Sequence, residues 1–202
     1  MHAHIFQVIS FFNYLIKIEK PNIKIRDPIV PKQIKIAFIG DSGVGKTSLI
    51  NYSLEDECVT NDEPTNLVDI TFKKIKLDES SIINFGMWDF SGKIDSFKIR
   101  TELYPELHAI AYCFDLSNKN TFQNLENWIK EVKNYKGDKL ISILLGLKCD
   151  KSKVIDFGAI QRFSEKYKMN YFEISIKDIN SVRKFFVDYG RILFDYVKTG
   201  KK

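Results

Sequence analysis

One eight-residue segment, residues 40–47, constrains the fold of this chain more than any other part of its sequence. The segment is GDSGVGKT, which matches the pattern GxxxxGK[ST]. It directly follows QIKIAFIG (33–40), an alternating and β-branched run typical of a strand, and precedes a helix-like stretch. A glycine-rich turn without a ligand is the alternative, but three glycines, Lys46 and Thr47 all fall in register. The pattern therefore favours a loop that binds phosphate at the start of a helix.

The residue types of this loop suit that chemistry. Gly40, Gly43 and Gly45 permit backbone conformations that a Cβ atom would bar. Lys46 supplies a positive charge for the β- and γ-phosphates, and the Thr47 hydroxyl can ligate Mg²⁺. The nucleotide-binding residues expected here are Asp41, Ser42, Gly43, Val44, Gly45, Lys46, Thr47 and Ser48.

Strand-like runs recur after the loop, and helical periodicity lies between the later ones. The strand-like runs are 68–77, 82–88, 109–115, 140–146 and 170–174. The helical stretches are 121–136, 156–168 and 179–197. Strands that alternate with helices predict βαβ units around a mostly parallel sheet, which is an α/β fold.

Composition excludes several classes of protein. The chain has 202 residues, which fits about one domain. With 44% hydrophobic residues it is neither wholly disordered nor collagen-like, and a net charge of +5 does not indicate nucleic-acid binding. Cys58, Cys113 and Cys149 are odd in number and form no CxxC pair. A disulfide framework or zinc site is therefore disfavoured, and a reducing compartment is expected.

The positive charge lies at the two ends of the chain. An N-terminal extension (1–32) and a basic tail (198–202) flank a main domain (33–197) whose body is close to neutral. Residues 5–18 have a wide apolar face, and three prolines in 20–33 predict an extended linker. Residues 5–18 either pack on the domain or lie unstructured, or they form a helix that contacts a membrane surface or a partner.

Several further motifs follow the loop in a fixed order. They are Pro64-Thr65, Trp88-Asp89-Phe90-Ser91-Gly92, Asp115, Thr121-Phe122 with Trp128, Leu147-Lys148-Cys149-Asp150 and Glu173-Ile174-Ser175-Ile176-Lys177. Their order and spacing resemble the small GTPases of the Ras superfamily, with Rab-like features, over residues 33–197. The resemblance implies a P-loop GTPase fold (G domain), with a six-stranded, mostly parallel sheet and about five helices on its two faces.

The resemblance also implies roles at the phosphate end. Thr65 would close over the γ-phosphate and, with Thr47, ligate Mg²⁺. Asp89 would hold Mg²⁺ through water, and the Gly92 N–H would sense the γ-phosphate. The segments around Thr65 and 90–100 would be the parts that change between the GTP and GDP states.

At the base-binding end of the nucleotide site, the resemblance implies specificity for guanine. Lys148 would lie along the base, and Asp150 would accept hydrogen bonds from guanine N1–H and the 2-amino group. Adenine lacks donors at those positions, so Asp150 argues for guanine. Ser175, Ile176 and Lys177 would support the base from the last loop.

Two residues depart from the family pattern. Lys93 stands where the family has its catalytic glutamine, and a lysine has three donors but no acceptor, so we expect slow or partner-dependent hydrolysis. Leu147 replaces the asparagine of NKxD, which bonds the base and ties this loop to the phosphate loop. Loss of one buried polar partner costs about 1–3 kcal/mol, or roughly one to two decades in affinity.

These observations leave more than one function open. The favoured interpretation is a monomeric guanine-nucleotide switch that uses GTP, GDP and Mg²⁺ and meets effector, exchange-factor and GTPase-activating proteins in trafficking or signalling. A pseudo-GTPase scaffold is the alternative, and a P-loop kinase or ATPase is a more distant one. A cytoplasmic protein is expected, with peripheral contact to an internal membrane through residues 5–18. No cysteine follows Cys149, so we expect no C-terminal prenylation.

Overall fold

The computed structural model describes residues 33–54, 65, 67–79, 81–93, 96–137 and 140–199. These residues form a six-stranded sheet with helices on both faces. The strands are β1 (Ile34–Ile39), β2 (Val68–Lys76), β3 (Ile82–Phe90), β4 (Ala109–Asp115), β5 (Ile141–Leu147) and β6 (Asn170–Ile174). The helices are α1 (Lys46–Leu54), α2 (Phe97–Leu103), α3 (Lys119–Gln123), α4 (Leu125–Lys136), α5 (Phe157–Tyr167) and α6 (Ile179–Thr199), with a 3₁₀ turn at Tyr104–Glu106.

The sheet has the order β2-β3-β1-β4-β5-β6. Strand β2 pairs antiparallel with β3, and the other neighbouring strands pair parallel. Five strands therefore place their carboxyl ends at one edge of the sheet, where loops from different parts of the chain meet. The α/β architecture with a mostly parallel sheet is confirmed.

Alternating side chains on β1 explain why both faces of the sheet are covered. Ile34, Ile36 and Phe38 point to the face where α1 and α6 pack, whereas Ala37 and Ile39 point to the face of α4 and α5. Successive strand residues point to opposite faces, so a strand that is apolar at nearly every position needs cover on both sides. The central strand β1 is thus buried at every position except the half-buried Lys35, and the loop that follows it starts from a well-packed support.

Helix α6 follows its predicted apolar face. Apolar residues recur every three or four positions in the predicted stretch 179–197, and all of them on this face are buried: Val182, Phe185, Phe186, Tyr189 and Leu193. Packing of such a stripe against a sheet stabilises a helix far more than its intrinsic propensity does.

The helical stretch predicted over 121–136 is divided in two. The Asn118 side chain accepts a hydrogen bond from the Asn120 N–H and starts α3 two residues early, and α4 begins after Asn124. Helix α2 was not predicted, because a seven-residue helix gives too short a window for a periodic pattern.

The predictions for residues 1–32 and for the end of the tail, 200–202, lie outside the described residues. Over the ranges that the structure describes, no helix combines the length and the apolar character needed to cross a bilayer.

Two buried tyrosines provide a test of the packing. The Tyr189 hydroxyl is fully buried and has no hydrogen-bond partner among the described residues, whereas the Tyr104 hydroxyl donates to Glu131 Oε1 at 2.5 Å. Removing an unpaired buried hydroxyl relieves its desolvation cost, so Tyr189→Phe should raise the free energy of unfolding by about 1 kcal/mol. Urea denaturation measures this change.

Tyr104→Phe is the matched control, because it deletes a hydroxyl that is paired. It should lower the free energy of unfolding by about 1–2 kcal/mol, since the Glu131 carboxylate loses a donor. A loss of stability in both variants would show that Tyr189 has a partner in solution.

Candidate nucleotide-binding site

The residues predicted for the site lie at the carboxyl edge of the parallel strands. The phosphate loop (residues 40–47) follows β1, Asp89 and Gly92 lie at the end of β3, and the segment from Leu147 to Asp150 follows β5. The segment from Ser175 to Lys177 follows β6. Open α/β sheets bind ligands at this edge, and the fold therefore brings together motifs that are far apart in sequence.

The phosphate loop depends on its first glycine. Gly40 has φ = +147°, and a Cβ atom there would lie 2.1 Å from the carbonyl oxygen of Cys113 on β4. Any side chain would force the loop away from the sheet. Gly43 and Gly45 also have positive φ, while the Val44 side chain is buried in the core and anchors the tip of the loop.

Lys46 lies beneath this loop, almost fully buried. Its Nζ donates hydrogen bonds to the carbonyl oxygens of Gly40, at 2.8 Å, and Asp41, at 2.9 Å. Burial lowers the pKa of the Lys46 ammonium below its ordinary value, although the charge of Asp89 acts in the opposite direction. A phosphate group beside this ammonium would stabilise its charged form.

Thr47, Thr65 and Asp89 form one hydrogen-bonded cluster. Asp89 Oδ2 accepts from the Thr47 hydroxyl at 2.5 Å and from the Thr65 hydroxyl at 3.0 Å. The two threonine oxygens lie 2.8 Å apart. Three residues from α1, from the loop before β2 and from β3 thus converge, as the prediction for a magnesium site requires.

The donor set of this cluster fits Mg²⁺. It offers one carboxylate and two hydroxyl oxygens, which are the hard ligands that Mg²⁺ prefers, with the other positions left for phosphate and water. Asp89 Oδ1 is buried, and no partner for it exists among the described residues. Burial raises the pKa of the Asp89 carboxyl, although hydrogen bonds from Thr47 and Thr65 oppose the rise. A divalent cation beside this carboxylate would reverse that effect.

Gly92 presses directly against the phosphate loop. A Cβ atom on Gly92 would lie 2.3 Å from the Ser42 nitrogen and 2.8 Å from the Gly40 oxygen. These contacts are with backbone atoms, which cannot move aside at low cost. The next residue, Lys93, is exposed, and its N–H donates to the Ser91 hydroxyl at 3.3 Å.

Lys148 joins the base loop, the segment 147–150 that is predicted to hold the guanine base, to the phosphate loop. Its Nζ donates to the Gly43 carbonyl oxygen at 2.6 Å and forms an ion pair with Asp115 Oδ2 at 2.7 Å. Lys148 itself adopts φ = +60°, a backbone conformation that non-glycine residues rarely adopt. Its Cε also lies 3.8 Å from the position that a Cβ on Gly45 would occupy, so the side chain runs along the phosphate loop.

The Asp150 carboxylate is held by two partners from the last loop. Ser175 Oγ donates to Asp150 Oδ1 at 2.7 Å, and Lys177 Nζ lies 2.9 Å from Oδ2. The Lys177 N–H in turn donates to Ser175 Oγ at 3.1 Å. The hydrogen bond from Lys177, followed by that from Ser175, lowers the pKa of the Asp150 carboxyl to about 2. Asp150 is thus a fixed acceptor, ionised at any physiological pH.

Leu147 faces the phosphate loop with an apolar side chain, unlike the asparagine that it replaces in the family pattern. Its side chain is buried, and its Cδ1 lies 3.7 Å from the position that a Cβ on Gly45 would occupy. At this position an apolar side chain therefore faces the phosphate loop in place of a polar one, and Lys148 supplies the hydrogen bond between the two loops. Ile176, in the last loop, is half-buried and packs on the core.

Sequence reasoning missed two functional groups. Asp115 was included among the motifs but was given no role; it pairs with Lys148, and its position at the carboxyl end of a strand was the available signal. Arg100 was given no role in the sequence analysis. It is buried and donates to the carbonyl oxygens of Ser91 and Lys93.

Comparison with known proteins agrees with this geometry. Residues 35–194 match the family model described as "Ras family". The chain belongs to the Ras family. A relative named Ras-related protein Rab-1 from Theileria parva is 31% identical over 166 residues, covering 81% of this chain and 75% of that protein.

Two further relatives place this Ras-family chain among the Rab-like small GTPases. GTP-binding protein YPT1 from Saccharomyces cerevisiae is 28% identical over 160 residues, which cover 78% of this chain and 77% of that protein. Ras-related protein RabF1 from Dictyostelium discoideum is 26% identical over 166 residues, which cover 81% and 86% of the two chains. The predicted resemblance to Rab-like members of the Ras superfamily is confirmed.

The support of Asp150 by Lys177 gives a prediction for this Ras-family site. Lys177→Met removes the strongest of the interactions that favour the carboxylate, so the pKa of the Asp150 carboxyl should rise from about 2 towards its ordinary value. NMR titration of the side-chain carbonyl carbon measures the midpoint.

Lys184→Met is the control, because Lys184 pairs with Asp188 on α6 and has no contact with Asp150. It should leave the midpoint of Asp150 unchanged. An Asp150 pKa that stays near 2 in Lys177→Met would contradict the assigned ion pair.

Proposed function

We propose that this chain is a Mg²⁺-dependent guanine-nucleotide switch of the Rab type, with slow unaided GTP hydrolysis. The observation that carries the proposal is the cluster of Thr47, Thr65 and Asp89 beside the phosphate loop. A structural hydrogen bond explains any one of these contacts, and a cation site at the end of a P-loop accounts for the convergence of all three oxygens. Bound Mg²⁺ would neutralise phosphate charge and fix the position of the nucleotide.

Several groups of the chain would then bind the phosphates together. Lys46 places its ammonium where two loop carbonyls already hold it, so little conformational entropy remains to be lost on binding. The loop N–H groups at the start of α1 would donate hydrogen bonds to the phosphate oxygens, because the first N–H groups of a helix have no partner within the helix. Gly92 lies against the same loop. Its N–H, which belongs to the predicted second switch (residues 90–100), would therefore lie on the γ-phosphate side.

Specificity for guanine rests on Asp150. Its carboxylate is ionised and is oriented by Ser175 and Lys177, so it can accept hydrogen bonds but cannot donate one. Guanine offers two donors on that edge, whereas adenine would leave the carboxylate facing a group without a matching donor. A base that covers this carboxylate without offering it a donor should therefore be rejected strongly.

A pseudo-GTPase is the second candidate, and Leu147 favours it. This residue lacks the polar group that would bond the base, and it contacts the phosphate loop only through its apolar side chain. The two candidates differ in what the purified protein contains. A switch retains GDP or GTP through purification, whereas a scaffold releases none.

The test is to denature protein purified in the presence of Mg²⁺ and to identify the released nucleotide by chromatography. The switch proposal expects close to one guanine nucleotide per chain, with GTP in excess if unaided hydrolysis is slow. Adenine nucleotide, or no nucleotide together with no GDP binding in a titration, would overturn it.

Base specificity should change when the acceptor at position 150 becomes an amide. Asp150→Asn replaces one carboxylate oxygen with an NH₂ donor, which faces the guanine 2-amino group but complements the carbonyl at the same position of xanthine. We expect GDP affinity to fall at least about tenfold and xanthosine diphosphate affinity to rise, because a mismatched donor and acceptor cost more than a tenfold factor. Competition against a fluorescent nucleotide measures both affinities.

Asp156→Asn provides the control for that change, because Asp156 caps α5 by accepting from the Ala159 N–H and does not contact Asp150. It should leave the nucleotide preference as in the unmodified chain. If Asp150→Asn also keeps that preference, Asp150 does not read the base.

Hydrolysis should be limited by Lys93. A residue that orients water must accept as well as donate a hydrogen bond, and an ammonium cannot accept one. Lys93→Gln restores both capacities at an exposed position, so we expect single-turnover GTP hydrolysis to accelerate about tenfold or more. This gain is smaller than the ~10²–10⁴-fold of general acid–base catalysis, because a glutamine orients the water but does not take up its proton. Equal rates in the unmodified chain and in Lys93→Gln would contradict this assignment. Lys98→Gln on α2 is the matched control.

The proposal extends to partners and location. A switch of this class acts through effector, exchange-factor and GTPase-activating proteins, and the resemblance to Rab proteins favours a role in vesicle trafficking or signalling. The activating partner would supply the hydrogen-bonding group that Lys93 lacks. Peripheral contact with an internal membrane through residues 5–18 remains a proposal, since those residues lie outside the described ones.

A further inference from the structure

A buried arginine links the predicted second switch (residues 90–100) to α4. Arg100 lies in α2 and is almost fully buried. Its guanidinium forms two parallel bonds with the Glu131 carboxylate, Nε to Oε1 and Nη2 to Oε2, both at 3.1 Å. The guanidinium carbon also lies 4.8 Å from the centroid of a Trp128 ring. Glu131 and Trp128 both belong to α4, so the guanidinium is fixed from two directions.

The remaining nitrogen of Arg100 binds the loop that carries Gly92. Nη1 donates to the Ser91 carbonyl oxygen at 3.1 Å and to the Lys93 carbonyl oxygen at 2.7 Å. Four of the five guanidinium N–H groups thus have acceptors, in the planar arrangement that only arginine offers.

The bond to Ser91 has a consequence for the residue that follows it. The Ser91 C=O and the Gly92 N–H belong to one planar peptide unit, and no peptide bond among the described residues is cis. In a trans peptide these two groups point in opposite directions. By holding the carbonyl on the α4 side, Arg100 turns the Gly92 N–H away from α4, and Gly92 itself lies against Ser42 and Gly40 of the phosphate loop.

The phosphate loop is attached to the same helix. Asp41 Oδ1 accepts from Trp128 Nε1 and Asp41 Oδ2 accepts from Asn124 Nδ2, both at 2.8 Å. Trp128 therefore contacts the anchor of each loop, Arg100 on one side and Asp41 on the other. The phosphate loop and the loop that carries Gly92, which would meet at the γ-phosphate, are therefore both held by α4.

We propose that Arg100 is a positioning residue that aims the Gly92 N–H at the γ-phosphate and thereby sets the preference of this chain for GTP over GDP. The inference rests on the proposed function, because it assumes a nucleotide in the site. Arg100 touches neither phosphate nor base; it acts through the Ser91–Gly92 peptide. GDP has no γ-phosphate, so the orientation of that peptide matters for GTP alone.

The test is the ratio of GTPγS affinity to GDP affinity, measured by competition against a fluorescent nucleotide in Mg²⁺. Arg100→Ala should lower this ratio about tenfold, the effect of losing one hydrogen bond to a charged group, with GDP affinity changing much less. If Arg100→Ala does not fold, because Glu131 is left buried and unpaired, Arg100→Lys replaces it. Lysine keeps the charge but cannot bind Glu131 in two places and both carbonyls at once, so the ratio should again fall.

Arg162→Ala is the matched control, because Arg162 is largely exposed and pairs with Asp156 at the start of α5. It should leave the ratio as it is in the unmodified chain. A ratio in Arg100→Ala or Arg100→Lys within about threefold of the unmodified chain, even if both affinities fall together, would overturn the inference and assign Arg100 to packing alone. If the unmodified chain binds neither nucleotide, the proposed function fails first and the inference fails with it.

Discussion

The burial of two opposite charges, Lys46 and Asp89, is the constraint on which the site depends. Each group loses hydration at the edge of the sheet, and burial shifts the pKa of each towards its neutral form. Charged groups are kept in such places only when partners replace water. Lys46 has two carbonyl oxygens and Asp89 has two hydroxyls, and phosphate and a divalent cation would supply the remaining charge.

The fold supplies this arrangement through strand direction. Because β1, β3, β4, β5 and β6 run parallel, their following loops meet at one edge, and residues more than 100 positions apart come into contact. Contacts between these loops then hold the site together: Gly92 against the phosphate loop, Lys148 on Gly43, and Leu147 against Gly45. The base loop of this chain is thus tied by a lysine and an apolar side chain at a place where its family uses an asparagine.

Much of this could be predicted from the sequence, because the relevant signals are local. The strand before residues 40–47, the glycines of the loop and the periodic face of α6 each depend on residues close in the chain. The cluster of Thr47, Thr65 and Asp89 followed from family spacing. The roles of Arg100 and Asp115 could not be predicted, since their partners Glu131 and Lys148 lie about 30 residues away and no local pattern marks the pairing. Helix α2 was missed because seven residues show no clear period.

The central claim is that Thr47, Thr65 and Asp89 hold a magnesium ion against a bound guanine nucleotide. The most direct measurement is the rate at which a fluorescent GDP analogue dissociates in Mg²⁺ and in excess EDTA. If these residues act through the ion, its removal should accelerate dissociation at least about tenfold, because the phosphates lose their main counter-charge. The same rate in both buffers would contradict the account, since it would show that the cluster serves only to connect α1 with β3.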